Sequence, residues 1–345
     1  MMMTGAFSLL AALLVLPTAA HAQTPAQFYA GRTVNLIVPF APGGYYDIGA
    51  RLMGRHLGRH IPGKPTVVVQ NQPGTGGLPQ ANRFGSGADA DGALIGVLQR
   101  GIPQLSLMGD PNARFDPLKI TWLGSISGYS NDAYLLFVSA THAAKTAADL
   151  KTPGVKAILG SNQVASTNYM LARVTKGVLG LNVDIVRGFP GANEIMLAQL
   201  RGEVDGQLAD YSSLTAGMGD AWNKKQLTPL VQFARRTRHP DLPDVPMAHE
   251  LVSDPQAAAL LAFAELPFYM ALPLAGPAGI PPDRAAALKA AFVAMGRDPA
   301  FHAEAKAINT LIDPVDGDTV LGLIAKAAQT PKDVIARYKA LVAGP

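Results

Sequence analysis

The feature that most constrains this chain is an apolar run that leads through a glycine-rich loop into a helical pattern. Residues Val34–Phe40 read VNLIVPF, a continuous apolar run of strand length, and a helical pattern covers Ile48–His60. Continuous apolar runs are typical of strands that are buried on both faces of a parallel sheet. The loop between them, residues 41–47, reads APGGYYD. The order strand, glycine loop, helix predicts the start of an α/β unit.

The same order returns along the chain. Residues 66–69 form a second apolar run, which the glycine loop 72–77 (QPGTGG) follows. In the middle of the chain, Ala157–Leu159 leads into the polar loop 160–167 (GSNQVAST) and a helical pattern over Asn168–Val178. Alternating strands and helices predict α/β lobes with mainly parallel sheets.

The first 22 residues are typical of a secretory signal. They contain no Asp, Glu, Lys or Arg, run apolar from Ala6 to Leu16, and end in Ala20-His21-Ala22. The apolar run is shorter than the roughly 20 residues that span a bilayer. We therefore expect export, with cleavage after Ala22.

The length of the remaining chain predicts two lobes, because single cores stop growing at roughly 250 to 300 residues. We expect residues 23–127 and 246–345 to form the first lobe and residues 128–245 to form the second. The boundary near 245 follows a stretch with three prolines between Pro240 and Pro246.

Composition excludes several classes of function. The chain has no cysteine, which rules out disulfides, thiolate metal sites and cysteine nucleophiles. The net charge of +4 is a small surplus, and the densest basic cluster is residues 235–239 (RRTRH). We interpret this cluster as a solvated loop rather than a nucleic-acid surface, because it lacks the interleaved aromatic residues that stack on bases.

Two loops are candidates for ligand binding. Glycines at 43 and 44 let backbone N–H groups approach an anion at the start of the following helix. The loop 160–167 offers Ser, Asn and Thr side chains, which either cap a helix or bind a polar ligand. Taken alone, the first loop is more often an ordinary strand-to-helix connection and the second more often only a helix cap. Because ligands of open α/β sheets bind beyond the carboxyl ends of strands, the two loops together predict a clamp. Asp47 is a candidate for binding an ammonium or hydroxyl group, or for capping the helix.

The sequence gives little support for catalysis. It contains neither the G-x-S-x-G elbow nor the G-x-x-x-x-G-K-[ST] phosphate loop. His56 and His60 have a spacing that metals use, but Arg55 and Arg59 adjoin them, which favours a solvated basic helix face. We therefore expect a protein that is not an enzyme and that holds neither metal nor cofactor.

Five motifs in series resemble one known family. They are Val38–Gly44 (VPFAPGG) with Asp47 three residues on, Val67–Gly77 (VVVQNQPGTGG), Asp241–Pro246 (DLPDVP), Gly276–Pro281 (GPAGIP) and Arg297–Phe301 (RDPAF). Their order resembles that of the Bug/TctC-type extracytoplasmic solute receptors, the periplasmic receptors of tripartite tricarboxylate transporters. The motifs cover nearly the whole mature chain.

The resemblance implies a type II periplasmic-binding-protein fold, in which two α/β lobes are joined by a hinge and close on a ligand. It implies a periplasmic, monomeric receptor that captures a small organic acid and delivers it to the membrane permease subunits of a tripartite transporter, with no nucleic-acid partner. Two alternatives stay open. The same cleft would serve a secreted enzyme that uses Asp47 or Asp210 as acid or base, or a sensor that docks to a membrane signalling protein.

The resemblance also implies where the ligand binds. The predicted contacts are Phe40, Ala41, Pro42, Gly43, Gly44, Tyr45, Asp47, Ser161, Asn162, Gln163, Ala165, Ser166, Thr167, Gly188 and Asp210.

The second lobe departs from the family pattern. Many members have Gly-Ser-x-Gly-x-Gly-Ser where this chain has side chains in place of the later glycines, and Val186–Asn193 (VRGFPGAN) replaces Pro-Tyr-Lys-Gly-Gly. These differences indicate a divergent branch whose ligands differ from simple dicarboxylates. Tyr45 and Tyr46, within the first loop, are expected to narrow the pocket or to stack on a ring.

Overall fold

The computed structural model describes residues 23–40, 42–43, 45–74, 77–162, 166–189 and 192–343. The strands are β1 (Thr33–Val38), β2 (Thr66–Asn71), β3 (Leu94–Val97), β4 (Thr121–Ser125), β5 (Tyr134–Ser139), β6 (Ala157–Ser161), β7 (Val183–Arg187), β8 (Gly206–Asp210), β9 (Leu227–Phe233), β10 (Pro273–Gly276) and β11 (Val315–Asp316). The helices are α1 (Pro25–Tyr29), α2 (Tyr45–Leu57), α3 (Leu78–Gly85), α4 (Ile102–Leu107), α5 (Thr167–Gly177), α6 (Ala192–Leu200), α7 (Tyr211–Gly217), α8 (Gly219–Asn223), α9 (Pro255–Glu265), α10 (Pro282–Gly296), α11 (Pro299–Ala307), α12 (Gly317–Ala328) and α13 (Lys332–Ala343). Short 3-10 helices cover Asp149–Lys151, Ala248–Leu251 and Leu266–Met270.

The strands of the described residues form two sheets. The six-stranded sheet has the order β11-β4-β10-β3-β1-β2, and the five-stranded sheet has the order β7-β6-β8-β5-β9. In each sheet the predicted strand–loop–helix units supply the parallel pairs, β1 with β2 and β3, and β6 with β7 and β8. Strands that return from elsewhere in the chain, such as β10 and β5, pair antiparallel. The prediction of two α/β lobes is confirmed, but both sheets are mixed rather than mainly parallel, because β5, β10 and β11 pair antiparallel with their neighbours.

Helix starts follow local side-chain chemistry. Asp254, Asp298 and Asp316 each precede a helix and accept a hydrogen bond from a backbone N–H of its first turn, at 2.8, 2.9 and 2.7 Å. Proline occupies the first turn of α9, α10 and α11, where its missing N–H removes no helical hydrogen bond. None of the helices in the described part of the chain combines the length and the apolar character that crossing a bilayer requires.

The lobe division follows the sheets, but two helices from later in the chain, α9 and α13, pack on helix α5 of the second lobe. The first sheet takes strands from 33–125 and 273–316, and the second takes strands from 134–233. Helix α13 lies against α5, where Arg173 Nε donates to the carbonyl of Leu341 at 2.9 Å, and Tyr338 contacts Phe263 of α9 with ring centroids 5.2 Å apart. The C-terminal region therefore contacts both lobes. The domain boundaries near residues 127 and 245 stay a prediction.

Two chain segments connect the sheets, residues 126–133 and 265–270, and two buried charged residues join them to residues 233–236, at the end of β9 of the second sheet. We call these segments, residues 126–133, 233–236 and 265–270, the hinge segments. Arg235 donates from Nη1 to the carbonyl of Ser130 at 2.9 Å and also to the carbonyl of Asp132, which ties the second segment to the first. Glu265 Oε1 accepts from the N–H of Ala234 at 2.9 Å, which ties the third segment to the second. Arg235 is thus buried, unlike the solvated loop predicted for residues 235–239.

Glu265 makes the stability of the hinge depend on pH. Burial raises its pKa from the ordinary value of 4.5 to about 7, although the hydrogen bond from Ala234 and the contact with Tyr269 oppose the rise. The folded protein therefore holds the Glu265 proton more tightly than the unfolded chain does. The stability linked to this proton is complete below pH 4.5 and is lost as the pH rises through about 7.

We expect Glu265→Gln to raise the free energy of unfolding at pH 8 by about 1 to 3 kcal/mol, because glutamine keeps the acceptor for Ala234 without a buried charge. The gain should shrink toward zero at pH 4.5. At pH 4.5, Glu265→Leu should lower the free energy of unfolding by about 1 to 3 kcal/mol, because it leaves the Ala234 N–H unpaired. Urea unfolding at the two pH values measures both effects, and a glutamine variant that is less stable at pH 8 would contradict this account.

Candidate ligand-binding cleft

A cavity of about 630 Å³ lies between the two lobes. It is lined by Phe40, Tyr45, Tyr46, Ile48, Gln99, Arg100, Ser127, Tyr129, Asp132, Ser166, Thr167, Asp210, Ser212, Ser213, Ile308, Asn309, Thr310 and Leu311. Most of these residues lie at the end of a strand or in the loop or first helical turn that follows one: β1, β3 and β4 in the first lobe, and β6 and β8 in the second. The cavity therefore occupies the place where the carboxyl ends of strands from both sheets meet, as expected for ligand sites in open α/β sheets.

The first turn of α2 forms one wall. The helix begins at Tyr45, three residues earlier than the sequence pattern predicted, so both tyrosines belong to the helix. The Tyr46 ring stacks on Phe40 with centroids 4.5 Å apart, and its hydroxyl accepts a hydrogen bond from the backbone N–H of Arg100 at 3.1 Å. These contacts fix Tyr46. The ring of Tyr45 is 47% exposed and faces the cavity.

Asp47 binds the backbone of the first loop, residues 41–47, and is not part of the cavity lining. It is 2% exposed, and its carboxylate accepts from Gly43 N–H at 2.8 Å, Arg51 Nε at 2.9 Å and Asn71 Nδ2 at 2.8 Å. Asn71 Nδ2 also donates to the carbonyl of Phe40 at 3.0 Å, so both ends of the loop are bound. Burial on its own would raise the pKa of Asp47, but the hydrogen bonds from Arg51, Gly43 and Asn71 outweigh burial and lower the pKa. Asp47 stays ionised and does not line the cavity.

Arg100 brings a positive charge into the cavity. It follows β3, is half-buried, and its guanidinium carbon lies 4.5 Å from the centroid of the Phe268 ring. Its Nη2 donates to Thr167 Oγ1 at 3.0 Å, from the first lobe to the second. A half-buried guanidinium is a strong partner for a carboxylate, because its fork of N–H donors matches the two carboxylate oxygens.

Two carboxylates face the same cavity from the second lobe and the hinge. Asp210 accepts a hydrogen bond from the Tyr129 hydroxyl. Asp132 accepts from Ala133 N–H at 2.8 Å, from Ser212 N–H at 3.1 Å and from the Ser212 hydroxyl at 2.6 Å. Burial first, and then the nearby charge of Asp210, raise the pKa of Asp132 to about 6. Among the described residues, neither carboxylate forms an ion pair.

The predicted contacts divide into three groups. Those that line the cavity are Phe40, Tyr45, Ser166, Thr167 and Asp210. Those that are described but do not line it are Pro42, Gly43, Asp47, Ser161, Asn162 and Gly188. Those that lie outside the described residues are Ala41, Gly44, Gln163 and Ala165.

Ser161 and Asn162 build the entry to α5 instead of the cavity wall. Asn168 donates to Asn162 Oδ1 at 2.6 Å, and Ser161, which is fully buried, donates to Asn168 at 3.4 Å. Asn162 Nδ2 donates to the carbonyl of Phe189 at 3.0 Å. These bonds connect two loops of the second lobe and thereby position Thr167.

Sequence reasoning missed Arg100, Tyr129 and Asp132. Arg100 could have been found, because it follows the apolar run of residues 94–98, which contains β3, and so lies at the carboxyl end of a strand as the two chosen loops do. Tyr129 and Asp132 lie in a hinge segment, and no pattern in the sequence marks them.

His56, in α2, and His60, which lies three residues after the end of α2, both have a structural role. His56 Nε2 lies 2.5 Å from Glu304 of α11, and His60 Nε2 lies 2.9 Å from Asp298, which precedes α11. His56 is 4% exposed, so it is not part of a solvated face as predicted. Within the residues that the structure describes, no group of three or more metal-ligating side chains occurs.

Comparisons with known proteins agree with the motifs and the fold. No protein-family model matches the chain. A stretch of 75 residues is 41% identical to the protein BugT of Bordetella pertussis, which is 22% of this chain and 21% of BugT, so the match spans about a fifth of that relative. The structure is similar to a TctC solute-binding protein from Polaromonas, with TM-score 0.68 and 18% identity over 90% of this chain and 99% of that one.

Two further solved structures share the fold. MatC from Rhodopseudomonas palustris with bound malate has TM-score 0.57 and 22% identity, over 90% of this chain and 99% of that one. The periplasmic binding protein BugD has TM-score 0.58 and 18% identity, over 91% and 98%. The two-lobed periplasmic-binding fold and the Bug/TctC resemblance are confirmed, and these relatives are solute-binding proteins rather than enzymes.

We expect Asp47→Ala to lower the free energy of unfolding by about 1 to 3 kcal/mol, because the Gly43 N–H and the Asn71 amide lose a buried acceptor. The matched control is Arg51→Ala, which removes a side chain that is 44% exposed and forms an ion pair with the same carboxylate. It should cost less than about 1 kcal/mol. Urea unfolding of both variants at pH 7.5 is the measurement. Equal losses would show that Asp47 serves only the ion pair and does not hold the loop.

Proposed function

We propose that this chain, which has the fold and the sequence motifs of the Bug/TctC-type solute-binding proteins, is a periplasmic receptor that captures a small carboxylate-bearing molecule between its lobes. The observation that carries the proposal is Arg100, a half-buried cation that lines the interlobe cavity together with polar groups of both lobes.

The surroundings of Arg100 suit an anion. Its stacking on Phe268 and the hydrogen bond to Thr167 hold the guanidinium in place, so little side-chain entropy remains to be lost on binding. Hydroxyl groups of Thr167, Ser127 and Ser213 line the same cavity and can donate to carboxylate oxygens. Because the site is partly removed from water, each charge-assisted hydrogen bond is stronger than it would be on the surface.

The architecture suits reversible capture. The two sheets are separate bodies joined by hinge segments, and the cavity is lined from both sides. A ligand that contacts Arg100 from the first lobe and Thr167 or Ser213 from the second binds the closed arrangement more tightly than an open one. Differential binding of this kind drives closure.

Similar proteins support the class of ligand. MatC, which shares the fold, has bound malate. The leader residues 1–22, which lie outside the described residues, are consistent with export, and the Bug/TctC resemblance supports a tripartite transporter permease as the partner that receives the ligand.

The test is a thermal shift screen of the mature protein against carboxylates, amino acids and aromatic acids, together with native mass spectrometry for retained ligand. A ligand at a hundred times its dissociation constant should stabilise by about 2.7 kcal/mol, which gives a clear rise in Tm. Arg100→Gln should abolish the shift. The matched control, Arg337→Gln, changes an exposed arginine on α13 and should leave the shift intact.

Two results would contradict the proposal. One is a shift that survives Arg100→Gln unchanged, which would place the ligand elsewhere. The other is chemical conversion of a bound ligand during long incubation, followed by NMR, which would indicate an enzyme.

A further inference from the structure

Building on the proposed receptor function, we infer that the cleft selects a zwitterion with an apolar side chain, that is, a hydrophobic α-amino acid. Its carboxylate would bind Arg100, its ammonium group would lie between Asp132 and Asp210, and its side chain would cover an apolar wall on the first lobe.

The charges of the cavity favour a zwitterion over a simple anion. Arg100 contributes one positive charge, whereas Asp132 and Asp210 contribute two negative charges. Among the described residues, neither aspartate lies within ion-pair distance of a cation, although the charge of Asp210 acts on Arg100 and that of Asp132 acts on Arg235. A ligand that brought only negative charge would enter a cavity with negative charge in excess. An amino acid supplies a carboxylate for Arg100 and an ammonium group for the aspartates.

The two aspartates are placed to share one ammonium group. Asp210 is the last residue of β8 and pairs with Tyr134, the first residue of β5. Asp132 lies two residues before Tyr134. Both aspartates are therefore at the same end of neighbouring strands. The N–H of Tyr211 donates to the carbonyl of Ala133 at 2.8 Å, which keeps these ends together.

Both carboxylates keep acceptor capacity. Within the described residues no hydrogen bond reaches Oδ2 of Asp210, and Oδ2 of Asp132 accepts only from the Ser212 hydroxyl. Arg235 binds the backbone carbonyl of Asp132 and not its carboxylate. An ammonium group has three donors, which suits two carboxylates with unused lone pairs.

The raised pKa of Asp132 also favours a cation between the two aspartates. Its pKa is raised to about 6 by burial and by Asp210, so the protein carries a repulsive pair of carboxylates in this cavity. Tyr129, Tyr211 and Arg235 are the other ionisable groups close to it. A cation between the aspartates would remove the repulsion.

An apolar wall lies on the first lobe. Tyr45, Ile48, Ile308 and Leu311 line the cavity and are 47%, 39%, 39% and 45% exposed. From the described residues, the second lobe contributes Ser166, Thr167, Asp210, Ser212 and Ser213 to the cavity and no large apolar side chain. A ligand with one apolar and one charged end matches this division. The cavity volume of about 630 Å³ lies within the range of roughly 300 to 1,000 Å³ that small-molecule sites occupy.

Isothermal titration calorimetry of the mature protein tests the inference with matched ligands. L-leucine is compared with 4-methylpentanoate, which lacks the amino group, and with 3-methylbutylamine, which lacks the carboxylate. Each analogue should bind at least about tenfold more weakly than leucine, because it leaves a charged partner of the cavity unpaired. Between alanine and leucine, affinity should rise about fourfold for each methylene that the apolar wall buries.

Two charge-neutralising variants provide a readout that a purely structural role would not produce. Asp132→Asn and Asp210→Asn keep the shape and an acceptor for Ser212 and Tyr129. Each should weaken leucine at least about tenfold and leave 4-methylpentanoate as tightly bound as before, or more tightly. Arg100→Gln should weaken both ligands.

The outcomes separate this inference from the receptor proposal. If 4-methylpentanoate or a dicarboxylate binds as tightly as the amino acid, or if the aspartate variants weaken acid and amino acid alike, the zwitterion is wrong while capture of a carboxylate at Arg100 stands. If leucine, phenylalanine and their analogues all fail to bind while another carboxylate does, the zwitterion is also wrong. If no carboxylate of any kind binds and Arg100→Gln changes nothing, both proposals fail.

Discussion

The hydrogen bonds of Arg235 and Glu265 across the hinge segments are the constraint on which the rest of the structure depends. They bind backbone groups of neighbouring segments, Ser130 and Asp132 in one case and Ala234 in the other. Leaving a buried backbone group without a hydrogen-bond partner costs free energy, so these two side chains stabilise the contact between the segments. The bond to Asp132 also orients a residue of the cavity, because its carbonyl points to Arg235 while its carboxylate points to Ser212. Asp132 therefore belongs both to a hinge segment and to the lining of the cavity.

The sequence predicted the parts of the fold that depend on local pattern. Apolar runs with glycine or polar loops located β1, β6 and their following helices. The rule for the carboxyl ends of strands placed Thr167 at the cavity, and the family resemblance added Phe40. Applied to β3 as well, the same rule would have included Arg100. Asp132 was out of reach, because its position depends on Arg235, about a hundred residues later in the chain. Contacts between segments so far apart leave no periodic signal in a single sequence.

Asp47 shows why a motif alone does not assign a role. Its position after two glycines suited either a helix cap or a contact with a ligand. In the structure its carboxylate accepts hydrogen bonds from Gly43, Arg51 and Asn71. Asn71 belongs to β2, which pairs with β1 in parallel register. The aspartate thus joins the first loop to the neighbouring strand. Its carboxylate is not part of the cavity lining, and the positive charge that the described lining offers a ligand is that of Arg100.

The unequal character of the two cavity walls couples selectivity to closure. The first lobe presents apolar side chains and one cation, and the second presents hydroxyl groups and a carboxylate. A ligand without an apolar part leaves the first wall in contact with water when the lobes close, and a ligand without polar groups leaves Asp210 and Thr167 without new partners. Burial of apolar surface contributes on the order of 25 cal/mol per Å², and an unpaired buried charge costs more than a neutral polar group. In the proposed receptor, both contributions would be realised only when the lobes are together, so discrimination between ligands would take place at the closing step.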